Sequence, residues 1–226
     1  MVHSRDSRSG RQPRLAGVRT AWRVVADGEF FCPDCGGDRC YQQLSGRRRL
    51  SVVGVPVLPR GEAEPVVQCS LCHGRFPLSV LEVPTTTRLT ALLRDAVHTV
   101  AIAVLAAGGA EPRAVRETAV DEVRAAGFAD CTEERLLTLL AALTSEGQAA
   151  VAMELRVALN ALTPQLSAAG REGLLLRGAR IALADGPYGA AESEMLAAMG
   201  TALGLAPADT ERLLTAARAL PGSAGR

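Results

Sequence analysis

Four cysteines arranged in two pairs constrain the fold of this chain more than any other feature. Cys32–Cys35 and Cys69–Cys72 each have the form C-x-x-C, and 33 residues separate them. Each pair presents two sulfur atoms from one tight turn, and two such pairs complete a tetrahedral thiolate site, which suits zinc. We therefore predict one structural zinc ion with the ligands Cys32, Cys35, Cys69 and Cys72.

Residues 21–84 surround the cysteines with short apolar runs separated by glycine and proline. Such runs are typical of β-strands, and the stretches 50–59, 65–68 and 76–83 are the clearest examples. About 60 residues with so few apolar groups cannot fold on core burial alone, so the metal would have to stabilise them directly. The sequence predicts a small β zinc ribbon over residues 21–84.

This region resembles a zinc-ribbon family in which a paired aromatic precedes C-P-x-C-G. In that family a tyrosine, a basic cluster and a hydrophobic run ending in P-x-x-P then lead to the second pair. The resemblance covers about residues 28–78 and departs from the family at His73, where glycine is more usual. His73 and Cys40 are alternative ligands, less favoured because the paired cysteines already fill a tetrahedron. The matching residues are Phe30, Phe31, Cys32, Pro33, Cys35, Gly36, Tyr41, Arg47, Arg48, Arg49, Pro56, Pro59, Cys69 and Cys72.

The run Arg47–Arg49 has two interpretations. We favour a solvated strand edge that blocks edge-to-edge pairing, where the arginines also offset the charge of four thiolates around a dication. The alternative is a phosphate-binding patch, which would make the chain a zinc-ribbon nucleic-acid-binding protein. A formal net charge of +1 and an aromatic content of 3% argue against that alternative.

Residues 1–20 are polar, rich in arginine and without periodicity, so we predict a disordered basic tail. The first 26 residues hold six arginines and no apolar segment of the kind found in secretory signals. The apolar runs that we find are shorter than the roughly 18 residues of a membrane span. We therefore expect a cytoplasmic protein without a membrane span, in which Cys40 and Cys131 remain free thiols.

From Thr85 onward, apolar residues recur at helical spacing. The pattern i, i+3, i+4, i+7 runs from Leu89 to Val104, and Gly108-Gly109 ends this first helix. Glycine and proline breaks then predict six more helices, so residues 85–226 should form an all-α bundle. These helices are expected at about 113–126, 132–144, 149–162, 171–185, 191–203 and 207–219.

The helical part repeats itself at an offset of 77 residues. Each repeat contains three helices joined by a glycine turn and a second short turn. One such unit leaves an apolar face that another would cover, so we predict two related three-helix units packed about a pseudo-twofold axis. The aligned segments are Ala107–Gly109 with Ala184–Gly186, Glu117 with Glu194, Gly127 with Gly204, and Thr132–Leu137 with Asp209–Leu214.

The second unit contains the pattern A-D-G-x₅-E between Ala184 and Glu192. This pattern resembles the signature of TerB-like domains, a helical family associated with tellurite resistance, and the resemblance extends over about 135 residues of helical sequence. It implies an all-α bundle with an acidic pocket where two Asp-Gly turns approach each other. It also implies a role in tellurite or other stress, metal sensing and partner assembly, without a known reaction.

The acidic pocket that the resemblance implies is incomplete in this chain. The first unit has Gly108 where the second has Asp185, and Val115 where the second has Glu192. Asp185 follows a predicted helix end, where the dipole disfavours an anion, whereas the two later glutamates are explained equally well by helix capping. Ca²⁺ takes about six or more oxygen ligands, so we expect at most a weak hard-cation pocket. Its residues would be Asp185, Glu192, Glu194 and Glu117.

These features favour a non-enzymatic adaptor or sensor in a metal or oxidative stress response of the tellurite type. Four protein thiolates leave the zinc no open position for a substrate, so this metal would be structural. The sequence contains no G-x-S-x-G, H-E-x-x-H or phosphate-loop motif. We expect protein partners, and we expect neither nucleic acid nor a membrane as the principal partner.

Overall fold

The chain divides into two compact units, Met1–Thr86 and Thr87–Arg226, and the computed structural model describes residues 16–52 and 55–219. The sequence placed this border two residues earlier, between 84 and 85. Residues 1–15 of the predicted basic tail lie outside the described residues. Residues 16–20 do not belong to a tail, because they form the start of the first strand and pair with residues 48–52.

The first unit is an antiparallel sheet of four strands in the order β1-β2-β3-β4. The first three strands are longer than the apolar runs in the sequence predicted. They continue to pair with one another far from the end of the sheet that carries the cysteines. A 3₁₀ turn, Leu78–Glu82, follows the last strand. The strands are β1 (Ala16–Cys32), β2 (Gly37–Val52), β3 (Val55–Cys69) and β4 (Arg75–Pro77).

The arginine run lies on a central strand. In β2, Arg47 pairs with Ala21 of β1 on one side and with Glu62 of β3 on the other. The interpretation of Arg47–Arg49 as a strand edge is therefore wrong. All three side chains are exposed. Because successive residues of a strand point to opposite faces, Arg47 and Arg49 share one face and Arg48 projects from the other.

The second unit consists of helices over its described residues, in agreement with the seven that the sequence predicts. Thr132 caps one helix by accepting a hydrogen bond from the Arg135 N–H at 3.3 Å, and Ser167 caps another by accepting from Gly170 at 3.2 Å. The helices are α1 (Thr86–Gly108), α2 (Arg113–Ala125), α3 (Glu133–Ser145), α4 (Gln148–Leu162), α5 (Ala168–Ala182), α6 (Ala190–Ala202) and α7 (Pro207–Ala219).

The sequence repeat is visible in the bounds of the helices. Shifted by 77 residues, α2 coincides with α6 at both ends. Gly127 and Gly204 follow these two helices with φ of 101° and 66°, a left-handed conformation that glycine adopts without strain. Helix α7 begins three residues earlier than the shift of α3 would place it, because Pro207 suits a first helical position.

Helix α1 contributes the largest share of the helical core. Nine of its residues are buried, all between Ala96 and Leu105, and they pack with buried residues of the other six helices. Among the described residues, the stretch Leu78–Gly108 is long and apolar enough to cross a membrane, and the bent pair α3 and α4 would add a second. Half of the most apolar window in Leu78–Gly108 is buried, as in the core helix of a soluble protein.

Candidate metal centre

The four predicted cysteine ligands meet at one end of the sheet. Their sulfur atoms all lie within 4.8 Å of one another. The Sγ atoms of Cys32 and Cys72 are 3.8 Å apart, and those of Cys35 and Cys69 are 4.0 Å apart. A tetrahedral zinc ion with Zn–S bonds of about 2.3 Å requires S···S distances of about 3.8 Å. The cysteines are therefore spaced correctly for a tetrahedral thiolate metal site.

The strand ends and two tight turns place these sulfur atoms. Cys32 ends β1 and Cys69 ends β3, while each partner cysteine lies three residues further on. The Gly36 N–H donates to the Cys32 carbonyl at 2.9 Å, and the His73 N–H donates to the Cys69 carbonyl at 3.1 Å. The two turns thus have the same backbone hydrogen bond, which brings both sulfur atoms of each pair to the same side.

Backbone N–H groups also point at the sulfur atoms of the second pair. Leu71 donates to Cys69 Sγ and Gly74 donates to Cys72 Sγ, both at 3.4 Å. Burial alone would raise the pKa of Cys69, but the N–H groups of Cys72 and Leu71 lower it to about 7. The pKa of Cys35 rises to about 12 through burial and the adjacent sulfur atoms. A metal ion must therefore displace protons when it binds.

Few buried apolar residues surround the cysteine site. Phe30 is 1% exposed and forms one buried cluster with Val67 and the first cysteine of each pair. Its ring lies edge-on to Tyr41, with 5.6 Å between ring centroids, and 5.9 Å from the ring of Phe76. A single buried aromatic cannot supply the core of a sheet this long, so a bound metal would contribute directly to its folding free energy.

His73 and Cys40, the alternative ligands, lie outside the group. His73 is exposed and has a φ of 58°, close to the 64° of Gly36 at the same position of the first turn. The turn therefore explains why glycine is more usual at this position. Cys40 is also exposed, and its carbonyl accepts a hydrogen bond from the Ser70 N–H at 3.0 Å. This bond ties β2 to the second cysteine turn.

The four acidic residues of the expected cation pocket do not share a site. Among the residues that the structure describes, the four cysteines are the only group of three or more side chains close enough to hold a metal ion. Glu117 is exposed and pairs with Arg113 of its own helix at 2.8 Å. Asp185 and Glu194 are exposed as well, so the described residues do not bring the four carboxylates together as one group able to hold a cation.

Glu192 is the buried member of the acidic set, with only 7% of its surface exposed. One of its carboxylate oxygens accepts a hydrogen bond from the Gly189 N–H at 2.7 Å and thereby caps α6. The other oxygen lies where a Cβ atom on Gly108 would be, so any side chain at position 108 would collide with it. Glycine at position 108 therefore leaves room for the Glu192 carboxylate, which a side chain at this position would have to displace.

A cavity that the sequence did not indicate lies within the helical unit. It has a volume of about 880 Å³, and its walls come from the end of α1 and from α4 and α6. Alanines and Leu155 form most of the lining, while Glu194, Arg156 and Asn160 supply polar groups. Residues from three separate helices line it, so no local sequence pattern marks it. Glu194 thus faces this cavity rather than an acidic site.

Comparisons with known proteins assign the helical unit. Residues 94–215 match a family model described as tellurite resistance protein TerB, and the match covers more than half of the chain. Neither the search of curated proteins nor the search of solved structures found a match. The matched residues begin within α1 and end within α7, so they contain both repeats and leave out the sheet that carries the cysteines.

Proposed function

The chain belongs to the TerB family, and from this premise we propose that it works as a non-enzymatic adaptor or sensor in a metal or oxidative stress response of the tellurite type. The family match over residues 94–215 is the observation that carries the proposal. The cysteine site is a second feature of the chain, because the chain carries a sheet with a candidate metal site in addition to the family's helical unit. The coupling of these two parts in one chain favours assembly with other proteins over a chemical reaction.

We infer that the metal is zinc and that it is structural. Four thiolates in a tetrahedron are the usual ligand set of structural zinc, and S···S distances of 3.8 and 4.0 Å fit it. Such a site has no open position at which water or substrate would bind. The remaining candidates for acid–base chemistry are Asp185, Glu192 and Glu194. Asp185 and Glu194 are exposed, and Glu192 caps α6. We therefore infer that the metal stabilises the sheet, and that the protein functions by binding partners through its surface.

We place the protein in the cytoplasm. All six cysteines are free, and four of them are needed as thiolates, which a reducing compartment preserves. The apolar residues of α1 between Ala96 and Leu105 are buried in the helical core. Protein partners are expected, because TerB-family helices supply packing surfaces and no recognisable reaction centre.

Native mass spectrometry tests the metal. Gently purified protein should contain one zinc ion per chain, and Cys35→Ser should lose it. Cys40→Ser is the matched control, because Cys40 lies on the same sheet but outside the sulfur group. Protein that is folded and free of metal would contradict the structural role of zinc.

Growth of a deletion strain tests the stress response. Cells without this gene should be more sensitive to tellurite or to an oxidant than wild-type cells. The intact gene should restore growth, and a truncated gene that encodes residues 1–86 should not. Equal survival of the deletion strain under both stresses would contradict the proposal.

A further inference from the structure

The part of the sheet away from the cysteines carries four arginines on one side. Directly opposite residues of an antiparallel pair project to the same side, as do alternate residues of a strand. Arg19 lies opposite Arg49, and Arg23 lies four residues further along β1. With Arg47, two residues before Arg49, they form what we call the basic face: Arg19, Arg23, Arg47 and Arg49.

The basic face is exposed and largely unpaired. In the described ranges 16–52 and 55–219, none of its four arginines forms an ion pair. One carboxylate, Glu62, is in register with Arg47 across β2 and β3. Like charges placed directly opposite each other destabilise a sheet. Arg19 and Arg49 are such a pair. An anionic ligand on this face would turn that repulsion into attraction.

The same region has an open strand edge. β1 stands at one end of the strand order, and no described strand pairs with its outer side. Near the cysteines, Val80 and Leu81 of the 3₁₀ turn pack against the Phe30 cluster. Further along β1, Val18, Arg19 and the residues 23–25 are exposed. An edge with free N–H and C=O groups is a template for an extended segment of another chain.

The opposite side of β1 is mainly apolar, with Thr20 as its polar residue between Val18 and Trp22. Val18 and Val24 are 47% and 49% exposed. The half-buried Trp22 lies on the same side as these valines, because it is an even number of residues from each of them along β1. The guanidinium of Arg75 lies over its ring, 5.0 Å from the ring centroid, so the two valines are the exposed apolar groups. An added strand would therefore meet arginines on one side and apolar side chains on the other.

We propose that the outer edge of β1 binds an extended partner segment in which acidic and apolar residues alternate, adding it to the sheet as a further strand. Backbone hydrogen bonds would supply affinity, and alternate side chains would supply specificity. A second copy of this chain fits poorly, because it would bring its own Arg19 and Arg23 to the same edge. Nucleic acid would use the arginines but would leave the strand edge and the valines unused.

This proposal names a partner class for the adaptor role and rests on that role. The two nevertheless fail separately, because the stress response is tested by growth and the partner segment by binding to purified protein.

Fluorescence anisotropy with the full-length, metal-loaded protein tests the proposal. The probe is a labelled peptide of five Glu-Val repeats. Two control peptides are compared with it. A peptide of five Lys-Val repeats lacks the negative charge, and a peptide of five Glu-Pro repeats lacks half of the backbone N–H donors. We expect the Glu-Val peptide to bind at least about tenfold more tightly than either, and added salt to weaken it. Equal affinity for all three peptides would refute strand addition.

Two variants localise the binding. Arg19→Glu combined with Arg23→Glu should weaken the Glu-Val peptide at least about tenfold. Arg48→Glu is the control, since it makes the same kind of substitution once, on the other side of the sheet, and should change binding less than about threefold. Binding should also slow amide hydrogen exchange at alternate residues of β1. An unchanged affinity in the double variant would overturn the proposal.

A random 20-base-pair DNA duplex tests the alternative that the basic face binds nucleic acid. It should bind more weakly than the Glu-Val peptide at the same salt concentration. If the duplex binds more tightly and the double variant loses it, the basic face is a nucleic-acid surface and the peptide proposal is wrong.

Discussion

The two units of this chain reach stability by different routes. The sheet has three strands of 15 to 17 residues, yet its cysteine end buries one large side chain, Phe30, beside the sulfur atoms. The helical unit buries 27 apolar residues in one continuous core. Apolar burial therefore stabilises the helices, whereas we expect the sheet to depend on an ion bound by the four cysteines. The two halves should respond to different perturbations, which separates them experimentally.

Metal removal should have the largest effect. Structural zinc contributes about 10–16 kcal/mol to small domains of this kind, so a strong chelator should unfold the sheet. The helical unit should keep its melting transition, because none of the four ligands lies in it. Circular dichroism would follow the helices while Trp22 fluorescence follows the sheet. Simultaneous loss of both signals would contradict the separation.

Leu105→Ala should produce the opposite result. Leu105 is 2% exposed and belongs to the helical core, so its truncation should cost about 2–5 kcal/mol. Metal content and Trp22 fluorescence should not change. Leu139→Ala is the control, because Leu139 is 38% exposed and should cost less than about 1 kcal/mol. A thermal melt of each variant measures both values.

Gly108→Ala tests the close approach of α1 and Glu192. The added Cβ atom would collide with the buried carboxylate, so we expect a loss of about 1–3 kcal/mol despite the better helix propensity of alanine. Gly173→Ala is the matched control within α5, where a Cβ atom meets nothing within 4 Å. That variant should be stabilised by up to about 1 kcal/mol. Equal effects in urea denaturation would disprove the contact.

Glu122→Gln tests the charged link between α2 and α5. Glu122 accepts hydrogen bonds from Arg177 at 3.0 Å and from Arg180 at 2.8 Å, and its side chain is only 15% exposed. Removing its charge should cost about 1–3 kcal/mol. In the same helix, Glu117→Gln breaks an exposed pair with Arg113 and should cost less than about 0.5 kcal/mol. Urea denaturation at two salt concentrations compares them.

His73→Gly should have the smallest effect, and it should be stabilising. A residue with a side chain at φ 58° is strained, so glycine should gain roughly 0.5–1 kcal/mol net of its own entropy cost. The gain should appear as slower metal loss to a chelator and not in the melting of the helices. Gly36→Ala reverses the change at φ 64° in the first turn and should accelerate metal loss.

The sequence predicted best what depends on local spacing. The C-x-x-C pairs indicated which four sulfur atoms meet in a group that could hold a metal ion, since the tight turn within each pair fixes where its two sulfur atoms lie. Helical periodicity with glycine and proline breaks gave seven helices, with α2 and α7 close to their expected bounds. The repeat at 77 residues also appeared in the helix bounds, because matching glycines end matching helices.

What the sequence missed depends on contacts between distant residues. Pairing of Thr20 with Arg48 extends the sheet into the expected tail and puts the arginine run on a central strand. Neither fact follows from the residues of one strand alone. That the four carboxylates of the expected acidic pocket are not grouped has a related reason. Sequence similarity suggested a shared site for Glu117 and Glu192, but in the fold one pairs with a neighbour on its own helix and the other caps α6.

The burial of α1 has a consequence for how the chain is made. α1 is the first helix of its unit to leave the ribosome, and the six helices that complete its core follow it. At about 5–20 residues per second, the roughly 110 residues from Gly109 to Ala219 take about 5–20 s to synthesise. During that interval the most apolar segment of the protein has few of its final partners. Nascent chains should therefore need protection by a chaperone that binds apolar segments, and should aggregate when translation stalls between α1 and α5.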